Sequence, residues 1–553
     1  MLPLLQIKNL SIELKEGDNY LQIVKDLSID ISIGKTTALV GESGSGKSIT
    51  ALSILQLLSK NTHITGNILF NNNEEIVELG RLTDNEINYI RGNKIGMIFQ
   101  EPMSSLNPIF TCGIQVADVI RRHKKITKKE AKKETIKLFT DVELPNPTTL
   151  FDKYPHQISG GQKQRVMIAM AICCKPSLLI ADEPTTALDV IVQYNIMQLL
   201  KKLQLQNSMA ILMITHDLGL VADIADEVYI IQKGTIIDKG SAQKILTASS
   251  INYTQTLLED QIKLNTIIKK TVSQDNQLPT STIIQQPVLS VKNLNVFFPI
   301  NNSIFSKNKE IIKAVDNVSF ELMQKQTIGI VGESGCGKTT LGRTIVQLAK
   351  PTSGNILLNG KDLFDFKKAE IKSLRKKIQI VFQDPYGSLH PRLPIGEAIM
   401  EPMKVHSIGN NNNERKERAA LLLQQVGLKE AHLNRYPHQF SGGQRQRICI
   451  ARALALNPAV MIFDESVSAL DSSTQIQILS LINDLKSTYN FASIFISHHL
   501  SIVHYISDRI LVMKNGKIIE AGSSDDVFFL PSHDYTKQLL HAIPGKTLFT
   551  SMA

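Results

Sequence analysis

The sequence predicts an α/β protein made of two copies of one domain, each built on a largely parallel sheet. Three observations carry this. GESGSGKS at 41–48 returns as GESGCGKT at 332–339. Three later landmarks also return, all at one common interval. Short apolar, β-branched runs alternate with stretches of helical periodicity, which is the pattern of strand–helix units around a parallel sheet.

The elements follow in order. The N-terminal MLPLLQIKNLSIELKEGD alternates as a strand does. It has no basic segment before its short apolar stretch, so it does not read as a signal peptide. KTTALV (35–40) is a short apolar run leading into the first Gly-rich loop, as TIGIVG (327–332) leads into the second. SITALSILQLL then carries apolar residues at helical spacing. LLIADE and VMIFDE are apolar runs ending in carboxylates, as buried parallel strands do, and AILMIT and SIFIS look similar.

The repeat sets the domain organisation. SGGQ begins at Ser159 and Ser441, ADE at 181–183 matches FDE at 463–465, and THD at 215–217 matches SHH at 497–499, each pair 282 residues apart. The Gly-rich loops are 291 apart, Gly41 to Gly332. The difference points to an insertion on a turn at NNNEEIVELGRLTD. So long a unit excludes a short-period solenoid. The first domain is read as 1–262, ending in INYTQTLLED, which HDYTKQLLHA at 533–542 echoes. Residues 263–287 are polar and without apolar period, hence a linker. The second domain is 288–553. The Asn runs at 71–73 and 410–413 read as solvated turns.

Composition excludes several classes. Of 553 residues, 42% are hydrophobic and 20% charged, which rules out a disordered or fibrous chain. Five cysteines without a CxxC pair argue against a disulfide framework or zinc ribbon and for a reducing compartment. No apolar run reaches the roughly 18 residues of a membrane span. The net charge of +10 suits an anionic partner without choosing between membrane and nucleic acid. The strongest basic run, RRHKKITKKEAKKE (121–134), reads as a solvated helix face.

The loops carry the chemistry. Gly41, Glu42, Ser43, Gly44, Ser45, Gly46, Lys47 and Ser48 match G-x-x-x-x-G-K-[S/T], as do Gly332, Glu333, Ser334, Gly335, Cys336, Gly337, Lys338 and Thr339. Glycine permits backbone conformations that let successive N–H groups converge on phosphate oxygens, and the following helix adds its positive end. Lys47 and Lys338 should reach the β/γ-phosphates, and Ser48 and Thr339 should ligate Mg²⁺. Average composition yields this pattern roughly 0.02 times in such a chain, so two matches exclude chance. Asp182 and Asp464 end apolar strands, where a carboxylate holds Mg²⁺. Glu183 and Glu465 come next, placed to orient or deprotonate the attacking water, and His216 and His498 follow 34 residues after the aspartates, where each could contact the γ-phosphate and the water.

With ISGGQKQR (158–165) and FSGGQRQR (440–447) added, the chain resembles two fused ABC nucleotide-binding domains. The resemblance covers nearly its whole length. It implies tandem P-loop NTPase folds, each with a mainly parallel core, an antiparallel β subdomain and a helical subdomain. It implies an ATPase using ATP and Mg²⁺. Gln100 and Gln383 match the Q-loop, which touches Mg²⁺ and senses the membrane partner. TALD (186–189) and SALD (468–471) match the D-loop. In such families each ATP lies between one unit's phosphate loop and the other's signature. Lys47 would then face Ser441, Gly442, Gly443 and Gln444, and Lys338 would face Ser159, Gly160, Gly161 and Gln162, in an intramolecular pseudo-dimer. Tyr20, 21 residues before Gly41, is the candidate adenine-stacking aromatic, with Ile311 and Ile312 at the equivalent positions of the second unit.

QEPMSSLNP, QDPYGSLHP, YPHQISGG, YPHQFSGG and the YTxxLL tails are similar to the peptide/nickel uptake branch. That implies two integral membrane permease subunits, and through them an extracytoplasmic substrate-binding protein. It also implies a cytoplasmic, peripheral position on the bacterial inner membrane, and no nucleic-acid partner. The alternative is a soluble tandem ABC ATPase acting on the ribosome. Three departures stand out. No cysteine follows Cys449, so no iron–sulfur cluster is expected. Ser466 replaces the proline of DEP, and His499 stands where the first unit has Asp217. Cys336 lies inside a phosphate loop and reads as a small residue there, although oxidation of an exposed thiolate at that place would obstruct phosphate.

Overall fold

The computed structural model describes residues 2–71, 75–100, 105–186, 188–266, 286–299, 311–365 and 368–546. The chain divides into two compact units, Met1–Leu188 with Val192–Gln261 and Pro544–Ala553, and Asp189–Ile191 with Ile262–Ile543. Helix Asn252–Thr266 runs four residues into the segment read as a linker, and 267–285 lie outside the described residues.

In the first unit an antiparallel sheet comprises β1 (Leu5–Glu16), β2 (Asn19–Ile31), β4 (Thr62–Asn71) and β5 (Ile76–Glu78), in the order β2-β1-β4-β5. A mixed sheet comprises β3 (Thr36–Val40), β6 (Ile95–Ile98), β7 (Leu178–Asp182), β8 (Ala210–Thr215), β9 (Glu227–Gln232) and β10 (Thr235–Ser241), in the order β10-β9-β3-β8-β7-β6. Only β10 runs antiparallel to its neighbour there. Strands β3, β7 and β8 are buried along their full length, which is why they read as continuous apolar runs rather than alternating ones.

The second unit repeats this order. Strands β11 (Leu289–Pro299), β12 (Ile311–Leu322), β14 (Ser353–Leu358) and β15 (Lys361–Asp362) form its antiparallel sheet. Strands β13 (Thr327–Val331), β16 (Ile378–Val381), β17 (Val460–Asp464), β18 (Ala492–Ser497), β19 (Arg509–Lys514) and β20 (Lys517–Ser523) form its mixed sheet. In the stretch read as an insertion, 72–74 lie outside the described residues, and the strands on either side, β4 and β5, are longer than β14 and β15. Part of it is therefore strand and 3₁₀ helix (Leu79–Arg81) rather than turn.

Each core lies between the two sheets, with the helix after the phosphate loop enclosed in it. Ile7, Val24 and Phe70 from one sheet meet Leu39, Ile180 and Leu212 from the other, around Ala51 and Ile54 of helix Lys47–Ile54. Burying each large aliphatic side chain contributes about 1.5–3 kcal/mol, so the helix that starts at Lys47 is firmly seated.

The helices of the first unit include Cys112–His123, Lys128–Asp141 and Gly160–Ile172. The basic run spans the first two. Thr127 caps the second through Glu130, and Lys124 pairs with Glu134 at 2.8 Å. This is the solvated face expected. The Asn run at 410–413 is more than a turn: Asn411 Oδ1 accepts from Glu414 N at 2.9 Å and caps helix Asn412–Gln425. No helix among the described residues is long and apolar enough to cross a membrane.

Candidate nucleotide site

Each phosphate loop leaves a buried central strand and turns straight into a helix. Gly46 (φ 103°) and Gly337 (φ 109°) make that turn at the helix N-caps. A Cβ on Gly337 would lie 2.0 Å from the Ala314 carbonyl oxygen, so glycine is required there by space as well as by φ. Lys47 Nζ donates to the carbonyls of Gly41 (2.8 Å) and Glu42 (2.7 Å), and Lys338 Nζ donates to those of Gly332 (2.7 Å) and Glu333 (2.8 Å). Both ammonium groups are buried and held at the loop centre.

The carboxylates converge on the same place. Ser48 Oγ donates to Asp182 Oδ1 at 3.1 Å, and Thr339 Oγ1 donates to Asp464 Oδ1 at 3.0 Å. Gln100 Nε2 donates to Glu183 Oε2 at 2.9 Å, and Gln383 Nε2 to Glu465 Oε2 at 3.1 Å. His216 Nδ1 lies 3.1 Å from Glu183 Oε1, and His498 Nδ1 lies 3.4 Å from Glu465 Oε2. Glu183 (φ 45°) and Glu465 (φ 48°) are left-handed, a conformation that turns each side chain off its strand end.

Burial pushes Asp182 up to about 6. Burial acts the same way on Glu183, but its hydrogen bond and charge contact with His216, with help from Thr186 and Lys47, hold it at about 2. His216 is correspondingly raised, the carboxylate outweighing burial. Asp464 is raised by burial, and Glu465 is lowered against burial by His498 and Lys338. In each site burial shifts the aspartate up while the histidine contact shifts its glutamate neighbour down, so the two adjacent carboxylates diverge.

A cavity of about 450 Å³ opens beside the second loop and includes Lys338, Thr339, Gln383 and Glu465. Ile312 lines it, but Ile311 does not. In the first unit Tyr20 is exposed on β2.

The signature residues start a helix in each unit. Ser159 Oγ accepts from Gln162 N, and Gln162 Oε1 accepts from Ser159 N at 3.1 Å. Ser441 and Gln444 repeat this box. Both glutamine side chains are therefore engaged in capping, while each serine hydroxyl keeps its hydrogen. A Cβ on Gly161 would lie 2.7 Å from Val192, and one on Gly443 2.5 Å from Thr474, so these glycines allow close helix packing.

The departures have structural consequences. Asp217 Oδ1 caps helix Leu218–Ile224 through Gly219 N at 2.7 Å, whereas His499, before helix Leu500–Ile506, caps nothing with its side chain. Instead its ring lies 4.3 Å from that of His498, and burial holds it well below the usual imidazole range. Ser466 is buried, its Oγ without a partner among the described residues.

Sequence reasoning missed one contact. Tyr535, in the repeated YTxxLL tail, accepts a hydrogen bond from Glu333 N at 3.0 Å. The recurring tyrosine was the only signal.

The two loops, each with a lysine, a hydroxyl and two carboxylates of opposite character, define a nucleoside-triphosphate hydrolase built twice in one chain. The ABC transporter family model matches residues 24–186 and 315–468. The chain belongs to that family and is an ATP-binding ATPase with two tandem cassettes. It is 43% identical over 557 residues to the glutathione import ATP-binding protein GsiA of Salmonella choleraesuis, covering 98% of this chain and 89% of that protein. The GsiA protein of Pectobacterium atrosepticum is also 43% identical, over 564 residues, with 98% and 90% covered. Among solved structures it resembles the dimeric ATP-binding cassette MJ0796 bound to ADP and Pi (30% identity, TM-score 0.38, 43% of this chain and 98% of that one). It also resembles cbiO1 from Clostridium perfringens, part of the ABC transporter complex cbiONQ (28% identity, TM-score 0.38, 44% and 91%).

Proposed function

We propose that this chain is the ATP-hydrolysing subunit of a bacterial importer of small peptides, with glutathione the first cargo to test, working by ATP-driven closure of its two cassettes. The observation that carries the reading is 43% identity, across 98% of the chain, to proteins named for glutathione import. The same relatives set aside the ribosome-acting alternative. Its partners would be two integral membrane permease subunits and, through them, an extracytoplasmic substrate-binding protein. It would sit on the cytoplasmic face of the inner membrane.

The residues support a division of labour. On binding ATP, Lys47 and Lys338 would exchange the loop carbonyls they now contact for phosphate oxygens. Ser48 with Asp182, and Thr339 with Asp464, are paired hard oxygen donors of the kind Mg²⁺ takes alongside phosphate, so the residues fit that ion, and Gln100 and Gln383 would complete the set. Bound there, Mg²⁺ would neutralise charge developing on the phosphates. Glu183, ionised and oriented by His216, would take a proton from the attacking water at a carboxylate oxygen, and Glu465 with His498 would do so in the second unit. Tyr20 and Ile312 would contact the adenine. Ser159, Gly160 and Gly161, and Ser441, Gly442 and Gly443, offer hydroxyl and N–H donors at helix N-termini, where an anion is stabilised.

A tagged Glu183→Gln/Glu465→Gln variant, fractionated from its native cells, tests this. Copurification with two polytopic membrane proteins is expected. Recovery on ribosomes, with membranes empty, would overturn the importer reading.

A further inference from the structure

The peptide unit joining Gly332 to Glu333 is held at both ends. Its carbonyl accepts from Lys338 Nζ at 2.7 Å, and its N–H donates to the Tyr535 hydroxyl at 3.0 Å. Lys338 grips the loop from within. Tyr535 grips it from outside, from helix Asp534–His541 near the end of the chain. The tyrosine itself has little freedom. It is 2% exposed, and Lys514 Nζ stands 4.4 Å from its ring centroid.

The helix bearing Tyr535 is in turn fastened to β20. The Glu520 carboxylate accepts from Ser532 N (2.7 Å), Ser532 Oγ (2.8 Å), His533 N (3.2 Å) and Thr536 Oγ1. His533 Nδ1 accepts from Tyr535 N at 3.0 Å. One carboxylate thus sets the start of the helix, and the helix sets the hydroxyl. The first unit has the same anchor, Asp238 Oδ2 accepting from Ser249 Oγ and from Thr254 Oγ1 beside Tyr253.

We propose that Tyr535 is a positioning residue of the second ATP site, its hydroxyl fixing the Glu333 amide and so holding the phosphate loop in its binding conformation. A loop of converging N–H groups binds phosphate best when its peptide planes are already set. Removing the hydroxyl leaves the Glu333 N–H without its buried acceptor and lets that plane rotate. The penalty falls on binding, because the loop must be ordered when ATP arrives. The inference rests on Gly332–Thr339 being a phosphate loop, and the experiment separates the two.

Mg-ATP binding is measured by equilibrium dialysis on the full chain carrying Lys47→Ala, and steady-state kinetics on the chain with Lys47 intact. Tyr535→Phe should raise Kd, and KM for ATP, by about three- to tenfold, the loss of one hydrogen bond. The number of sites and kcat should stay within twofold. A role in packing alone would instead lower the number of sites and kcat at constant Kd and KM. Glu520→Gln, which loosens the anchor but keeps the hydroxyl, should shift Kd the same way by less, and it carries the test if Tyr535→Phe does not fold. Unchanged Kd in these variants, with binding lost in Lys338→Ala, would overturn the inference. Full binding in Lys338→Ala would overturn the loop assignment instead.

Discussion

His216 Nδ1 stands 3.1 Å from Glu183 Oε1, while Gln100 and Thr186 both donate to the other oxygen of that carboxylate at 2.9 Å. Every one of these contacts favours the ionised form. The carboxylate held most firmly in its ionised form at the strand end is therefore also the most tightly oriented. Its counterpart, Glu465, has His498 at 3.4 Å and Lys338 at 4.0 Å.

Glu183→Gln keeps the shape and removes the proposed base. Hydrolysis at the first site should fall by about 10²- to 10⁴-fold with ATP binding retained, as single-turnover assays would read. Undiminished hydrolysis there would remove Glu183 from the chemistry.

The looser His498–Glu465 contact, the Ser466 hydroxyl without a partner among the described residues and the non-capping side chain of His499 all lie in the second unit. The second site should hydrolyse more slowly. Glu465→Gln should then leave more residual ATPase than Glu183→Gln. Equal residual rates would refute the asymmetry.

Gly337 and Gly335 both have positive φ, at 109° and 80°, but only Gly337 faces backbone. Gly335→Ala should cost about 1–2 kcal/mol of conformational strain. Gly337→Ala drives a methyl into the Ala314 carbonyl and should abolish ATP binding at the second loop. Paired denaturant and binding titrations would separate the two effects.

Burial opposes ionisation of Glu520, but hydrogen bonds from Thr536, Ser532 and His533 outweigh it and hold the carboxyl below its usual range. A carboxylate so lowered stabilises the fold above its ordinary value, near about 4.3, and the benefit fades as pH falls through its folded value. Wild type should exceed Glu520→Gln in stability at neutral pH, and the gap should close in acid. A gap that widened below pH about 4 would contradict the anchor.

Cys336 is 7% exposed, and burial raises its thiol above the ordinary range. That burial agrees with the reading of Cys336 as a small residue of the loop. Under native conditions a thiol reagent should label Cys174, the partly exposed cysteine, well before Cys336. Mass-spectrometric mapping would decide.

The phosphate loops, the carboxylate-ending strands and the signature helices were legible because each is short, local and written twice. Lys47 needs only the glycines around it, and Ser159 only Gln162. Other features depend on contacts that local spacing does not encode. Glu333 and Tyr535 are 202 residues apart along the chain, and only the fold of β19 and β20 brings them together. Asn411 looked like low complexity because a capping side chain differs from a turn residue only by the helix that follows. Asn9 and Gly66 look unremarkable in sequence. Yet Asn9 is left-handed (φ 51°) where the β1 register shifts, and a Cβ on Gly66 would lie 2.4 Å from its carbonyl. The second unit repeats the pair as Asn293 and Gly354.

The left-handed backbone at Glu183 and Glu465 carries a strain. A side-chain-bearing residue held there is strained by about 1–2 kcal/mol, a strain that glycine would not feel. Replacing either glutamate by glycine would relax the turn but strip His216 or His498 of its carboxylate partner and remove a proposed proton acceptor. These two positions therefore hold strained backbone in exchange for a charge-bearing side chain that glycine cannot supply.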